Sequence, residues 1–184
     1  MAIKKTFKNA LLLAVLGICT FIGASAFASL RRSKPPTPKF ETDAQFLFHA
    51  AEINLEEIQF GQLAQQKSMM IDVKELGKMM EQGHTKLQSQ LSALADKKNI
   101  ALPNVASRKA MEEYKKLNSK TDAKFNEEYC ELMIKGHKEA IAIFEKAEKE
   151  SIDPEIREWA VATLPALRAH LEHAKACKEK CEKM

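Results

Sequence analysis

Lys97–Thr121, KKNIALPNVASRKAMEEYKKLNSKT, is the longest connection between periodic segments of this chain, and its reading decides the fold. Pro103-Asn104 breaks it, and Ala106–Leu117 suits a short helix with Met111, Tyr114 and Leu117 packed down. Strongly amphipathic segments flank it on both sides. A helix of about 25 residues is about 38 Å long, and a connection about half helical and half extended spans that distance. A crossover of that reach sets the helix before it parallel to the helix after it.

The flanking segments read as two helical hairpins. Helix one starts at Thr42 or Asp43, either of which can cap it, and runs to about Lys67. Its stripe is His49, Ile53, Glu56, Phe60 and Leu63. A short link through Ser68 leads to Asp72, the expected cap of helix two, which carries Val73, Gly77, Met80, His84, Leu87, Leu91 and Leu94. So short a link makes helices one and two antiparallel neighbours. Helix three starts at Thr121 or Asp122 and presents Cys130, Met133, His137, Ala140, Phe144 and Ala147. Asp153-Pro154 combines a cap residue with proline in the first turn, where no amide bond is lost. Helix four then carries Ile156, Ala160, Thr163, Leu167, His170, Ala174, Cys177 and Cys181, with Pro165 expected to kink it. TDAQF near the start of helix one and TDAKF near the start of helix three hint at a duplicated hairpin. The expected fold is all-α: a four-helix bundle of ferritin-like arrangement, with a long crossover carrying a short extra helix between helices two and three.

The chain of 184 residues divides unevenly. Residues 1–28 place Lys4, Lys5 and Lys8 before the apolar run Ala10–Ile22 and end in Ala26-Phe27-Ala28, the order of a cleavable signal peptide. The run of about 13 residues is short for a bilayer that needs about 20. Residues 29–41 (SLRRSKPPTPKFE) read as a disordered tether, and residues 42–181 as the bundle domain. The whole chain carries 29 basic and 25 acidic residues. Without the leader's three lysines the charge is about +1, too weak a field to hold nucleic acid or an anionic membrane. No later segment is apolar enough to cross a membrane. The expected location is the periplasm of a Gram-negative bacterium, associated with the envelope or free, with an envelope protein or a second copy of the chain as candidate partner.

Each of the four long helices carries a histidine on or near its stripe: His49, His84, His137 and His170. In the crossover topology, Glu56, His84, His137 and His170 fall near mid-bundle within about two turns of one another. A buried carboxylate is costly unless paired or bound to a cation. These four residues form the expected metal set, suited to zinc, iron or manganese. Glu81-x-x-His84 matches a di-iron motif once only; helix four has Leu167 where a second acid belongs, so the full carboxylate set is missing. The same histidines can instead be structural, bonded to one another or to Glu56, in an envelope structural or interaction protein. A third reading is a small apolar ligand held between the hairpins. No nucleophilic triad, phosphate loop or C-x-x-C pair occurs.

Three cysteines follow the leader. Cys130 precedes His137 by seven residues and Cys177 follows His170 by seven, so antiparallel helices bring both pairs level. Export favours an oxidised pair, and the expectation is a Cys130–Cys177 disulfide, with Cys130–Cys181 and Cys177–Cys181 as rivals. The face His170, His173, Cys177, Cys181 is rich in metal-ligating side chains but spreads over about 16 Å of one helix.

The stretches DAQFLFHAAEINLEEIQFGQLAQQKS, VKELGKMMEQGH, LNSKTDAKFNEEYCELMIKGH and WAVATLPALRAHLEHA, in this order and spacing, resemble bacterial domain-of-unknown-function family 4142. Its members are often labelled outer membrane proteins and are grouped with ferritin-like bundles. The resemblance implies the same fold and carries over Glu56, His84, His137 and His170, with no established activity. The family usually has Asp before the helix-two histidine and often before the helix-three histidine. Gly83 and Gly136 stand there in this chain, which implies weaker acid support for a metal.

Overall fold

Asp153 caps a helix as its sequence implies, its carboxylate accepting from the amides of Glu155 at 2.9 Å and Ile156 at 3.3 Å. The computed structural model describes residues 39–183, with side chains from Asp43 onward. The expected leader, and residues 29–38 of the expected tether, lie outside the described residues. Five helices follow: α1 (Lys39–Lys67), α2 (Ile71–Lys98), α3 (Arg108–Asn118), α4 (Asp122–Glu150) and α5 (Pro154–Cys181). The expected helices three and four are thus α4 and α5, and α3 is the crossover helix.

Contacts between ends fix the directions. Ser68 at the end of α1 donates to Asn126 near the start of α4 at 2.7 Å. The Asp43 carboxylate accepts from the backbone N–H of Asp153 at 3.1 Å. Lys98 at the end of α2 pairs with Asp153 at 2.7 Å, and Lys180 near the end of α5 pairs with Asp72. So α1 runs antiparallel to α4, and α2 antiparallel to α5. Helices α2 and α4 are parallel, as the crossover requires. Helix α3 lies over α1 and α4, where the Tyr114 ring stacks on Phe60 with centroids 6.1 Å apart.

Several local expectations shift. α1 begins at Lys39, inside the expected tether, and Asp43 holds the α4–α5 turn instead of capping α1. Met70 stands at the start of α2 with no side-chain cap, which frees Asp72 in the first turn to pair with Lys180. Ser107 caps α3 by accepting from the amide of Ala110, and this turns Met111 to solvent while Ala110 and Leu117 are buried. Asn99 adopts φ 54°, a left-handed conformation that asparagine tolerates, and ends α2. α5 stays continuous through Pro165, whose ring lies on the exposed face.

The innermost line of α1 is the finding that positions the site. It is Ala50, Asn54, Glu57, Gly61 and Ala64, all buried, one residue on from the expected stripe. α1 and α2 approach so closely that a Cβ on Gly61 would lie 2.5 Å from the Gly77 carbonyl oxygen. At such an approach the smallest residues mark the centre and the large aliphatics flank it. Two apolar clusters fill the bundle, one around Leu47, Leu91, Phe144 and Leu167, the other around Phe60, Met80, Phe125 and Met133. Asn54, Glu57, His84, His137 and His170, all buried, lie at the levels between them in sequence.

Candidate metal centre

Three helices each deliver one imidazole to a common point. His84 comes from α2, His137 from α4 and His170 from α5. His84 Nε2 lies 3.4 Å from His137 Nε2, and His137 Nε2 lies 3.3 Å from His170 Nδ1. One nitrogen from each ring falls within 4.8 Å of the other two. The outer nitrogens of two rings are committed elsewhere. His137 Nδ1 lies 2.9 Å from the Met133 carbonyl, which only accepts, so this nitrogen carries the proton. His84 Nδ1 lies 2.9 Å from Asn54 Oδ1, while the Asn54 amide nitrogen donates to Gln88 at 3.2 Å. With Nδ1 protonated in both rings, both Nε2 lone pairs turn inward. Such outer hydrogen bonds fix the tautomer and aim of imidazoles that ligate metals.

Burial keeps these rings neutral, the form that binds metal. Burial first, then the neighbouring His137 and His170, hold His84 well below the usual histidine range. Burial lowers His137 too, against a pull upward from its bond to Met133. Burial, then His137 and His173, bring His170 down to about 4.

The carboxylate beside this cluster is Glu57, whose Oε1 lies 3.6 Å from His137 Nδ1. Its other oxygen is buried without a hydrogen-bond partner. Burial first, and Glu56 second, push its carboxyl well above the ordinary value. Expected Glu56 lies one residue off this line, half-buried beside a surface hollow with Lys109, Glu113 and Glu139. Burial and the Glu113 carboxylate raise it to about 7. The structure thus brings together His84, His137 and His170, with Glu57 at the edge, and leaves Glu56 outside the group. His49 is exposed and contacts Glu52, and His173 is exposed. Glu81 accepts from Gln62 and Gln65, a role that ties its carboxylate to α1 side chains. Asn54 and Glu57 were missed because large apolar residues defined the stripe; the small-residue line through Ala50, Gly61 and Ala64 was the available signal.

A family model described as a domain of unknown function, DUF4142, matches residues 29–177. The chain belongs to the DUF4142 family. No curated protein matches it in sequence. In fold it is similar to the crystal structure of a DUF305 fragment from Deinococcus radiodurans, with TM-score 0.67 and 15% identity over 80% of this chain and 99% of that one. At that identity the likeness shows the ferritin-like bundle fold alone. Within this DUF4142 chain, the two glycines acquire a steric reason. A Cβ at Gly83 would lie 2.5 Å from His170 Cε1, and one at Gly136 would lie 3.0 Å from Glu57 Oε1. Gly83 leaves room for an imidazole, and Gly136 leaves room for a carboxylate that arrives from α1.

The cysteines require a correction. Cys130 and Cys177 do face each other, but their sulfurs are 3.4 Å apart and all three described thiols are free. A disulfide needs about 2.05 Å. The expected Cys130–Cys177 bond is therefore absent, and so are its rivals. Residue spacing sets which cysteines meet but not the gap between helices, and the rival partner Cys181 is close as well, its Sγ 3.8 Å from Cys130 Sγ. The Cys130 thiol donates toward Cys177, which pulls Cys177 below its ordinary value.

Proposed function

We propose that this protein is an exported metal-binding bundle that holds one transition-metal ion through His84, His137 and His170. One observation carries the reading: neutral imidazoles from three helices turn a nitrogen each toward one point, and two of them are locked there by bonds to Met133 and Asn54. Without a cation, two inward lone pairs 3.4 Å apart repel. Three neutral nitrogens suit zinc best, with iron and manganese less favoured because they prefer more oxygen donors. Glu57 supplies a nearby carboxyl whose proton a bound cation would displace, offsetting part of the ion's charge.

The competing reading is an envelope structural protein with histidines that only fix helix register. It is favoured by the 3.3 Å spacing of His137 Nε2 and His170 Nδ1, which suits a shared proton. Elemental analysis and thermal melting of untagged protein separate the two. Binding at the histidines predicts one zinc per chain in zinc-loaded protein and a melting temperature that rises with zinc concentration. His137→Gln should abolish both, and His49→Ala should preserve both. Absence of metal together with no zinc-dependent stabilisation supports the structural reading. Export to the periplasm rests on the composition of Met1–Ala28. Among the described residues, no helix is long and apolar enough to cross a membrane. Amino-terminal sequencing that begins at Ser29 tests the export.

A further inference from the structure

We infer that Cys130, Cys177 and Cys181, with the Met70 thioether, form a second and separate site that binds one Cu(I) ion. The three sulfurs lie within 4.8 Å of one another. Sulfurs that share one ion through bonds of about 2.3 Å sit about 3.8–4.0 Å apart. The 3.4 and 3.8 Å separations need only small side-chain rotations to reach that spacing. Cys130 is anchored in α4, while Cys177 and Cys181 come from successive turns of α5, so two packed helices hold the triangle open.

The fourth donor decides the metal. Met70, at the start of α2, places its sulfur 3.7 Å from Cys181 Sγ. Thiolates accept either zinc or Cu(I), but a neutral thioether is a poor zinc ligand and a good one for Cu(I). Access is provided at this end of the bundle. Cys177 lines a surface hollow with Asp72, Leu76, His173 and Lys180, and Cys181 is only half-buried at the helix end. The ion enters and stays as Cu(I), each coordinating thiol releases its proton to solvent, and no electron is transferred. The site shares no residue with the three histidines.

The test uses the reduced bundle under anaerobic conditions, with Cu(I) supplied as its complex with a competing chelator. The expected result is one Cu(I) taken per chain, a thiolate-to-copper ultraviolet absorption band, and loss of alkylation at all three thiols. Cys181→Ser, at the partly exposed helix end, should weaken binding at least tenfold, and Met70→Leu several-fold. His137→Gln should leave this uptake unchanged, which separates the result from the histidine site. Circular dichroism confirms that each variant is folded. Retention of Cu(I) by the chelator, equal uptake by Cys181→Ser, or displacement of Cu(I) by equimolar zinc would overturn the inference.

Discussion

At the residue scale, the electrostatics of His170 make a test of the site without any metal. In the unfolded chain the ring takes up its proton near its ordinary value of 6.5, but in the fold only near 4. A depressed folded-state value means that the unfolded state binds more protons in that interval. Stability is then fully present above 6.5 and is lost as the pH falls toward 4. The loss amounts to at most about 3 kcal/mol. Glu57 acts with the opposite sign, since its raised value favours the fold at low pH and withdraws that support as pH rises. Comparison with His170→Asn cancels the Glu57 contribution. Denaturant melts of metal-free protein should show wild type losing stability relative to the variant between pH 6.5 and 4. Parallel curves would mean that His170 is not held neutral by burial. His84, His137 and His170 were legible in the sequence, because each sits on an apolar helix face, whereas His49, read the same way, is exposed. Glu57 was not, because Glu56 and Glu57 differ by only one helical step and the wider apolar residues pointed to the wrong one. The cysteine alignment was legible through spacing, but the absence of a bond depends on a gap between helices that spacing does not contain.

At the scale of elements, Gly83 on α2 gives the His170 ring of α5 its space. Alanine there adds a methyl against the far end of the His170 ring, with Cβ 2.8 Å from Nε2. Overpacking costs about 1–3 kcal/mol, while alanine in place of glycine returns about 1 kcal/mol of helix propensity. The ring is a side-chain end and can swing aside. Gly83→Ala should therefore change the melting temperature little and weaken zinc binding at least tenfold, by moving His170 off the common point. Paired zinc titration and thermal melting check this, and unchanged affinity would contradict the assigned role of Gly83. The helices were legible because Asp153-Pro154 and Pro103-Asn104 act through local backbone chemistry. The start of α2 was placed less well because Met70 precedes it and no side chain caps it. The face of α1 was misjudged because three helices surround it, so large residues on its flanks are covered as well.

At the scale of the whole molecule, the crossover through α3 is what makes the histidine site. It sets α2 and α4 parallel, so that His84 and His137, each about midway along its helix, arrive at one level with His170 on α5. A simple up-down bundle would run α4 the other way and change which residues share that level. The same connection that fixes the fold assembles three nitrogens between two apolar clusters, with three thiols set apart toward one end. X-ray absorption at the zinc edge, on wild-type protein loaded with one equivalent, tests this most directly. The account predicts a shell containing three imidazole nitrogens at about 2.0–2.1 Å and no sulfur. A sulfur shell at about 2.3 Å, or a shell of oxygens alone, would contradict it.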